Sequence, residues 1–541
     1  MARAFRSLLA FALLAAAIGL SAAAPGSAAS APRWVVHVRS FSGGISNGVR
    51  ARLAAAQVKG STVALRPAGS AAKAATQVAT AADPQNVQAN ADCDPPLPQD
   101  ETSVAFNLTN PMNAVAAAND YCGDGYWMGL TTNGGQSWGS IFKDPKTSTG
   151  ERCFGADPSV IYSRRDGAFY VSTLCYFSTS PISEVQVWKS VDGGATWTAS
   201  TSASIAITNR AADGSIDPSV FYDKELMAVD NNPASSHYGR IYITFIKFHM
   251  PGGNARSDTC PVQLAFTDNI PTADPRTATW SHTAVVPDAP GSGGIGASAN
   301  QWALPVVDTA GGLDVSYASE DCNTGFDRGM FFTRSTNGGA TFQAPVRIDK
   351  AGQFADNPNR QDKLPAKSPR LPISPSLAFD PTRNRLVYVY QNNVDRTVSG
   401  ADISLQTSSD FGSTWSNAKP ISITGTGTAA SGDQFFPWIA VDESGRYHAI
   451  WFDTRNDPAN RLIETFQALS TDGGATWTNS NISTVAWDPH DGFFANGSFI
   501  GDYNGLAASD EVLYPVWTDG RTSGGPPLGQ TDIFVNVEIT E

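Results

Sequence analysis

The chain is poor in charge, in histidine and in long apolar runs. Charged residues make up 16% of the 541, with 37 Lys+Arg against 50 Asp+Glu, a net charge of −13. That shortage of positive charge argues against nucleic acid or an anionic membrane as a partner. The six His are scattered, and neither a His-Glu-x-x-His nor a Cys-x-x-Cys occurs. Two standard routes to a zinc site are therefore missing. No cofactor is expected. Acidic stretches such as Asp488-Pro489-His490-Asp491 leave a Ca²⁺ site built from oxygen ligands as the remaining metal reading, with solvated loops as the alternative. After Leu8–Leu20 no run is long and apolar enough to cross a bilayer.

What is present fits an exported protein. Arg3 and Arg6 precede that apolar run, and small residues from Ala22 to Ala31 offer cleavage sites, so residues 1–30 read as a signal peptide. A secreted or periplasmic location follows, with no membrane contact after cleavage. Six Cys suit an oxidising compartment. Sequential pairing (Cys93–Cys122, Cys153–Cys175, Cys260–Cys322) is preferred among the 15 possible schemes; buried free thiols are the alternative. Residues 31–96 differ from the rest. Trp34-Val35-Val36-His37-Val38 reads as a strand, Ser46–Lys59 as a short helix, and the Ala-, Thr- and Gln-rich tract from Ala71 to Ala91 as a linker. Gly44-Ile45-Ser46-Asn47-Gly48 matches a nucleophile-elbow pattern without its strand–helix context and is taken as chance. The segment is expected to be a pro-segment or spacer.

The remainder, 97–541, repeats. The octet Ser470-Thr471-Asp472-Gly473-Gly474-Ala475-Thr476-Trp477 recurs at Ser190–Trp197, Ser335–Phe342, Ser408–Trp415 and, more loosely, Thr131–Trp138. Asn133, Asp192, Asn337, Asp410 and Asp472 hold its third position. Asp or Asn before Gly predicts a tight two-residue hairpin, with the acidic or amide side chain accepting turn amides. Around these turns lie seven modules of four short strands, which predicts an all-β propeller of seven four-stranded antiparallel blades, six being the alternative. One closed ring suggests a monomer.

The pattern Ser-x-Asp-x-Gly-x-Thr-Trp, complete at Ser190, Ser408 and Ser470, resembles the Asp-box or BNR repeat of the sialidase-like β-propellers. The resemblance implies that the octets are structural and lie opposite the active face. It also implies an extracellular carbohydrate partner and glycoside hydrolysis of the exo-sialidase kind. Sialidases use three Arg on the substrate carboxylate, a Tyr nucleophile paired with a Glu, and an Asp acid/base. On this chain Arg455 and Arg521 fit two of the Arg, Tyr503 the nucleophile, Glu101 or Glu320 its partner, and Asp157 or Asp217 the acid. The first module departs from the family pattern, because Glu101–Asn110 contains no Arg, and the best-known sialidases have six blades.

Strand order alone also sorts candidates. Residues leading into the first strand of each module should ring the channel: Glu101, Asp157, Asp217, Gln301, Ser374, Gln434 and Asp502-Tyr503. Trp451-Phe452-Asp453-Thr454-Arg455 and Trp517-Thr518-Asp519-Gly520-Arg521 each set Asp two residues before Arg. Such a pair either orients a guanidinium for a substrate carboxylate or braces its own loop. The expected site joins Tyr503, Glu101, Asp502 and Asp157 as catalytic groups to Arg455, Arg521, Asp453 and Asp519 as binding groups, and it would suit an acidic sugar. A non-catalytic glycan- or protein-binding propeller and a polysaccharide lyase are the alternatives.

Overall fold

The computed structural model describes residues 31–41, 43–59, 77–78, 86–93, 96–147, 149–198, 203–286, 300–324, 327–349, 364, 367, 369–392, 400–492, 499–522 and 529–539. The signal-peptide expectation and most of the linker lie outside these residues. Seven antiparallel sheets form the seven blades. Their innermost strands are Gln99–Asn107, Ser159–Ser163, Val220–Val229, Asn300–Val307, Ser376–Asp380, Gln434–Val441 and Gly505–Ala508. The last blade takes its outer strand from upstream of residue 97: Asn86–Gln88 pairs with Asp532–Asn536 and clasps the ring shut.

The strands are apolar on both faces because each blade is covered by two neighbours. Ala168–Tyr176 and Val512–Asp519 are buried along their whole length. The octet turns supply part of this packing. In the second blade Asp192 accepts from the Thr196 amide at 2.9 Å and from the Ser190 hydroxyl at 2.8 Å, and Asp410 and Asp472 repeat the pattern. Asn133 and Asn337 accept the matching amides of Ser137 and Thr341. The loop is wider than the expected two-residue hairpin, since Leu469 pairs with Thr478 across it. The extra residues let the second Gly press on the preceding blade. A Cβ on Gly474 would sit 2.8 Å from Leu405, and Gly474 has φ +86°, so Gly fits for two reasons.

The three disulfides are Cys93–Cys122, Cys153–Cys175 and Cys260–Cys322, the sequential pairing. Before the ring come two helices, α1 (Arg33–Ser40) and α2 (Asn47–Lys59). The strand expected at Trp34–Val38 is a helix. Local β-branching is overridden because the helical spacing buries Trp34, Val35 and Val38 together. Trp34 stacks on Phe221 with ring centroids 5.1 Å apart and meets Tyr176 edge-on. The helix expected at Ser46–Lys59 forms as α2, with Val49 and Leu53 buried.

Candidate active site at the propeller axis

One backbone device recurs on the innermost strands. Pairing with the second strand jumps from Asp100 to Ser103, from Asp223 to Leu226, from Gln301 to Leu304 and from Phe435 to Trp438. Two residues are skipped each time, and the first of them has positive φ: Glu101, Lys224, Trp302 and Phe436. Asp157 has the same conformation two residues before the strand of the second blade. The equivalent residues of the fifth and seventh blades are Ser374 and Tyr503. Left-handed backbone at a non-Gly residue costs about 1–3 kcal/mol. Bulges commonly re-aim a side chain beside a functional site, and in the four bulged blades they carry four different residue types: Glu101, Lys224, Trp302 and Phe436.

The result is asymmetric. From the first three blades and the seventh come the carboxyls of Asp100, Glu101, Asp157, Asp223, Glu225 and Asp502, gathered around a single ammonium, Lys224. Together with Tyr503 these side chains are no more than 4% exposed. Lys224 Nζ lies 2.9 Å from Glu101, 3.1 Å from Asp502 and 3.6 Å from Asp157. Its charge also sits over the rings of Trp302 (4.9 Å) and Tyr503 (5.0 Å). Asn119 organises the acids, donating to Glu101 at 2.7 Å and Asp100 at 3.1 Å while accepting the Asp157 amide at 2.8 Å. The other half of the ring is apolar: Trp302, Pro375, Trp438 and Tyr503 close over a cavity of about 10 Å³, room for about one water.

Electrostatics follow from this burial. Desolvation pushes the Asp100 and Asp223 carboxyls up to about 7. It drives Glu101 and Glu225 well above the carboxylate range, with the neighbouring Asp157 adding to the effect. Burial works against the Lys224 charge, but Asp157, Glu101 and Asp502 outweigh it and hold the ammonium well above its usual range. Burial, then Glu101, raises the Tyr503 phenol. Among the described residues, neither the two oxygens of Glu225 nor the phenol of Tyr503 has a hydrogen-bond partner. A proton-holding acid, a lysine-bound carboxylate and a free phenol at one point are the groups general acid–base chemistry requires.

Of the residues expected here, Glu101, Asp157, Asp502 and Tyr503 are brought together. Asp217 is not; it is exposed on a turn and bonds Ser219. Glu320 accepts from the Trp302 indole at 3.1 Å. Arg455 and Arg521 do not converge on the axis. Arg455 forks onto Asp453, stacks on Phe466 at 4.2 Å and reaches Asn479 on the outer strand of its blade. Arg521 forks onto Asp519, stacks on Phe534 at 4.2 Å and reaches Asn86 on the clasping strand. Trp451 and Trp517 donate to the same two Asp. Each Trp-x-Asp-x-Arg unit is thus a brace between strands. Asp223, Lys224 and Glu225 went unseen, although three successive charges inside the apolar run Val220–Met227 were a signal in so charge-poor a chain. Among the described residues no three His, Cys, Asp or Glu side chains are placed to hold a metal ion.

Seven four-stranded antiparallel blades make the chain a seven-bladed β-propeller. No family model matches it. It is 28% identical over 203 residues to a xyloglucanase from Paenibacillus sp, a match spanning 35% of this chain and 17% of that protein. Among solved structures it is similar to a Trypanosoma rangeli sialidase, with TM-score 0.41, 15% identity, and coverage of 73% of this chain and 57% of that one. It is likewise similar to a Penicillium chrysogenum α-L-arabinanase, with TM-score 0.41, 12% identity, and coverage of 71% and 92%.

Proposed function

We propose that the protein is a secreted glycoside hydrolase acting on an extracellular glycan at the axial site. The observation that carries this reading is the set of buried carboxyls around Lys224, some holding protons and some held against a cation. Glycosidases need two carboxyls of unlike protonation flanking the scissile bond. Glu225, buried and unbonded, is the proton donor in this reading. Asp502, 3.1 Å from the Lys224 ammonium, is the carboxyl that stabilises or attacks the sugar, and Tyr503 lines the same cavity as Glu225. The three disulfides support an oxidising destination.

The sugar is neutral or carries an amine. An anionic sugar would meet six carboxyls and one ammonium, and the Arg455 and Arg521 guanidiniums are engaged with Asp453 and Asp519 and with Asn479 and Asn86 of the outer strands. The test is a glycan panel covering neutral, amino-sugar, sialylated and uronate-bearing substrates, with product analysis. Neutral or amino-sugar linkages should be cleaved, and Glu225→Gln should lower turnover by about 10²–10⁴-fold, the usual weight of a general acid. Binding without cleavage would favour a second reading, a glycan-binding propeller.

A further inference from the structure

The axial site has a lid made of the chain itself. The segment carrying α1 and α2 lies across the mouth of the channel and touches the first four blades. The Ser46 amide, at the start of α2, donates to Asp223 at 2.7 Å. The Gln301 side chain donates to the Gly44 carbonyl at 2.6 Å. Gly48 lies so close that a Cβ would meet Glu101 at 2.9 Å and both Asn119 and Asp157 at 3.1 Å. The positive end of the α2 dipole is thus applied to the acidic cluster. Arg52 anchors the segment. Its guanidinium, 1% exposed, donates to the carbonyls of Asp120, Gly123 and Gly125 at 2.7 Å and of Gly155 at 2.9 Å, and it lies 4.7 Å from the Tyr121 ring centroid.

The ring does not need this segment to be complete. Every blade has its four strands, and the clasp that closes the circle is Asn86–Gln88. Residues 33–59 contain no Cys, so the intervening chain is their only covalent tie to the propeller.

We propose that residues 33–59 are a displaceable plug, a ligand supplied in cis, and that the mouth beneath takes a cationic group in the carbonyl cage now filled by Arg52. Four backbone carbonyls and the Tyr121 ring face hold that guanidinium, and the floor below is acidic, so a guanidinium or ammonium is the chemistry the site selects. The plug rests on the proposed site being where ligand binds, and it excludes ligand for as long as it stays in place.

The test introduces a specific protease site between residues 60 and 76 of the full chain and cuts the folded protein. The expected result is a peptide that separates from the propeller on dilution without loss of the β-sheet signal, and that rebinds when added back. A synthetic 33–59 peptide should bind the emptied propeller, its Arg52→Ala version at least ~30-fold more weakly, the scale for a buried hydrogen-bonded charge. N-acetylarginine amide should compete at millimolar concentration, whereas N-acetylglutamate amide should not. A segment that leaves only when the propeller unfolds, or an Arg52→Ala peptide that binds as well as the original, overturns the plug. Release and rebinding with no cleavage of any glycan by either form would overturn the hydrolase reading and leave the plug standing.

Discussion

The octet turns and the axis use the same residue, aspartate, to opposite ends. At the turns Asp192, Asp410 and Asp472 sit at the surface, and turn hydroxyls and amides hold Asp410 and Asp472 below the ordinary carboxylate range; Asp192 is likewise lowered, its turn bonds outweighing a partial burial that pulls the other way. At the axis burial lifts Asp100 and Asp223 toward neutrality. Both regions rest on a repeated backbone geometry. At the turns the repeated geometry carries repeated residues, and its work is to hold blades together. At the axis the left-handed geometry recurs in five blades while the residues differ: Glu101, Asp157, Lys224, Trp302 and Phe436. A repeated shape filled by unlike side chains marks the place where the ring has been specialised.

The contrast is most exposed at Lys224. Lys224→Met leaves the acids without their counter-charge, so urea unfolding should show a loss of about 3–5 kcal/mol, as when one partner of a buried ion pair is removed. That loss should shrink at pH 5, where more of the cluster is protonated. An equal loss at both values would mean that the lysine acts by packing alone. At the turns the strongest lever is glycine. Gly474→Ala meets both a left-handed φ and Leu405 and should cost about 1–3 kcal/mol. Gly427→Ala, with φ +80° and open space around it, should pay only the backbone share. Equal costs would show that the octet glycines do not pack the blades.

A pH series sets the two regions against each other. Asp100 and Asp223 have folded values raised to about 7, so their contribution is fully present below the unfolded value near 4 and is lost as pH rises toward 7. Asp192 and Asp410 are depressed, so theirs is present above about 4 and lost as pH falls further. Thermal unfolding should therefore peak on the acid side of neutrality. Asp223→Asn should flatten only the alkaline limb; flattening of the acid limb instead would show the assignment to be reversed. The smallest effect belongs to Asp472→Ala, a modest fall in Tm with unchanged glycan binding. Lost binding with an intact fold would contradict its place on the far face.

The sequence made the scaffold readable because its signals are local and repeated. Ser, Asp, Gly, Thr and Trp at fixed offsets define a turn whatever surrounds it, and Cys93, Cys153 and Cys260 each pair with the next Cys along. Glu101, Asp157, Asp502 and Tyr503 were legible for a related reason, as polar residues at the mouth of an apolar strand. Lys224 and Glu225 were not, because a bulge leaves no residue signature: Glu101, Lys224, Trp302 and Phe436 share a conformation and nothing else. Arg455 and Arg521 misled because spacing shows that an Arg stands beside its Asp but not which way the pair turns. The helix at Arg33–Ser40 depends on contacts with Tyr176 and Phe221, far along the chain, that no local pattern encodes.

The clasp has a consequence in time. Asn86 meets Asn536, 450 residues later, so the Asn86–Gln88 strand waits for the rest of its blade until the chain is nearly finished. Loop-closure entropy grows only slowly with length, each doubling adding about 0.6 kcal/mol, and so the long wait is kinetic more than energetic. During synthesis the Asn86–Gln88 edge travels with its hydrogen-bonding groups unmatched, an invitation to pair with another chain. The Cys93–Cys122 bond lies only a few residues away and can form as soon as the first blade emerges. It moors that edge beside the gap into which the final blade must arrive, so the circle is prepared for its last member before that member exists.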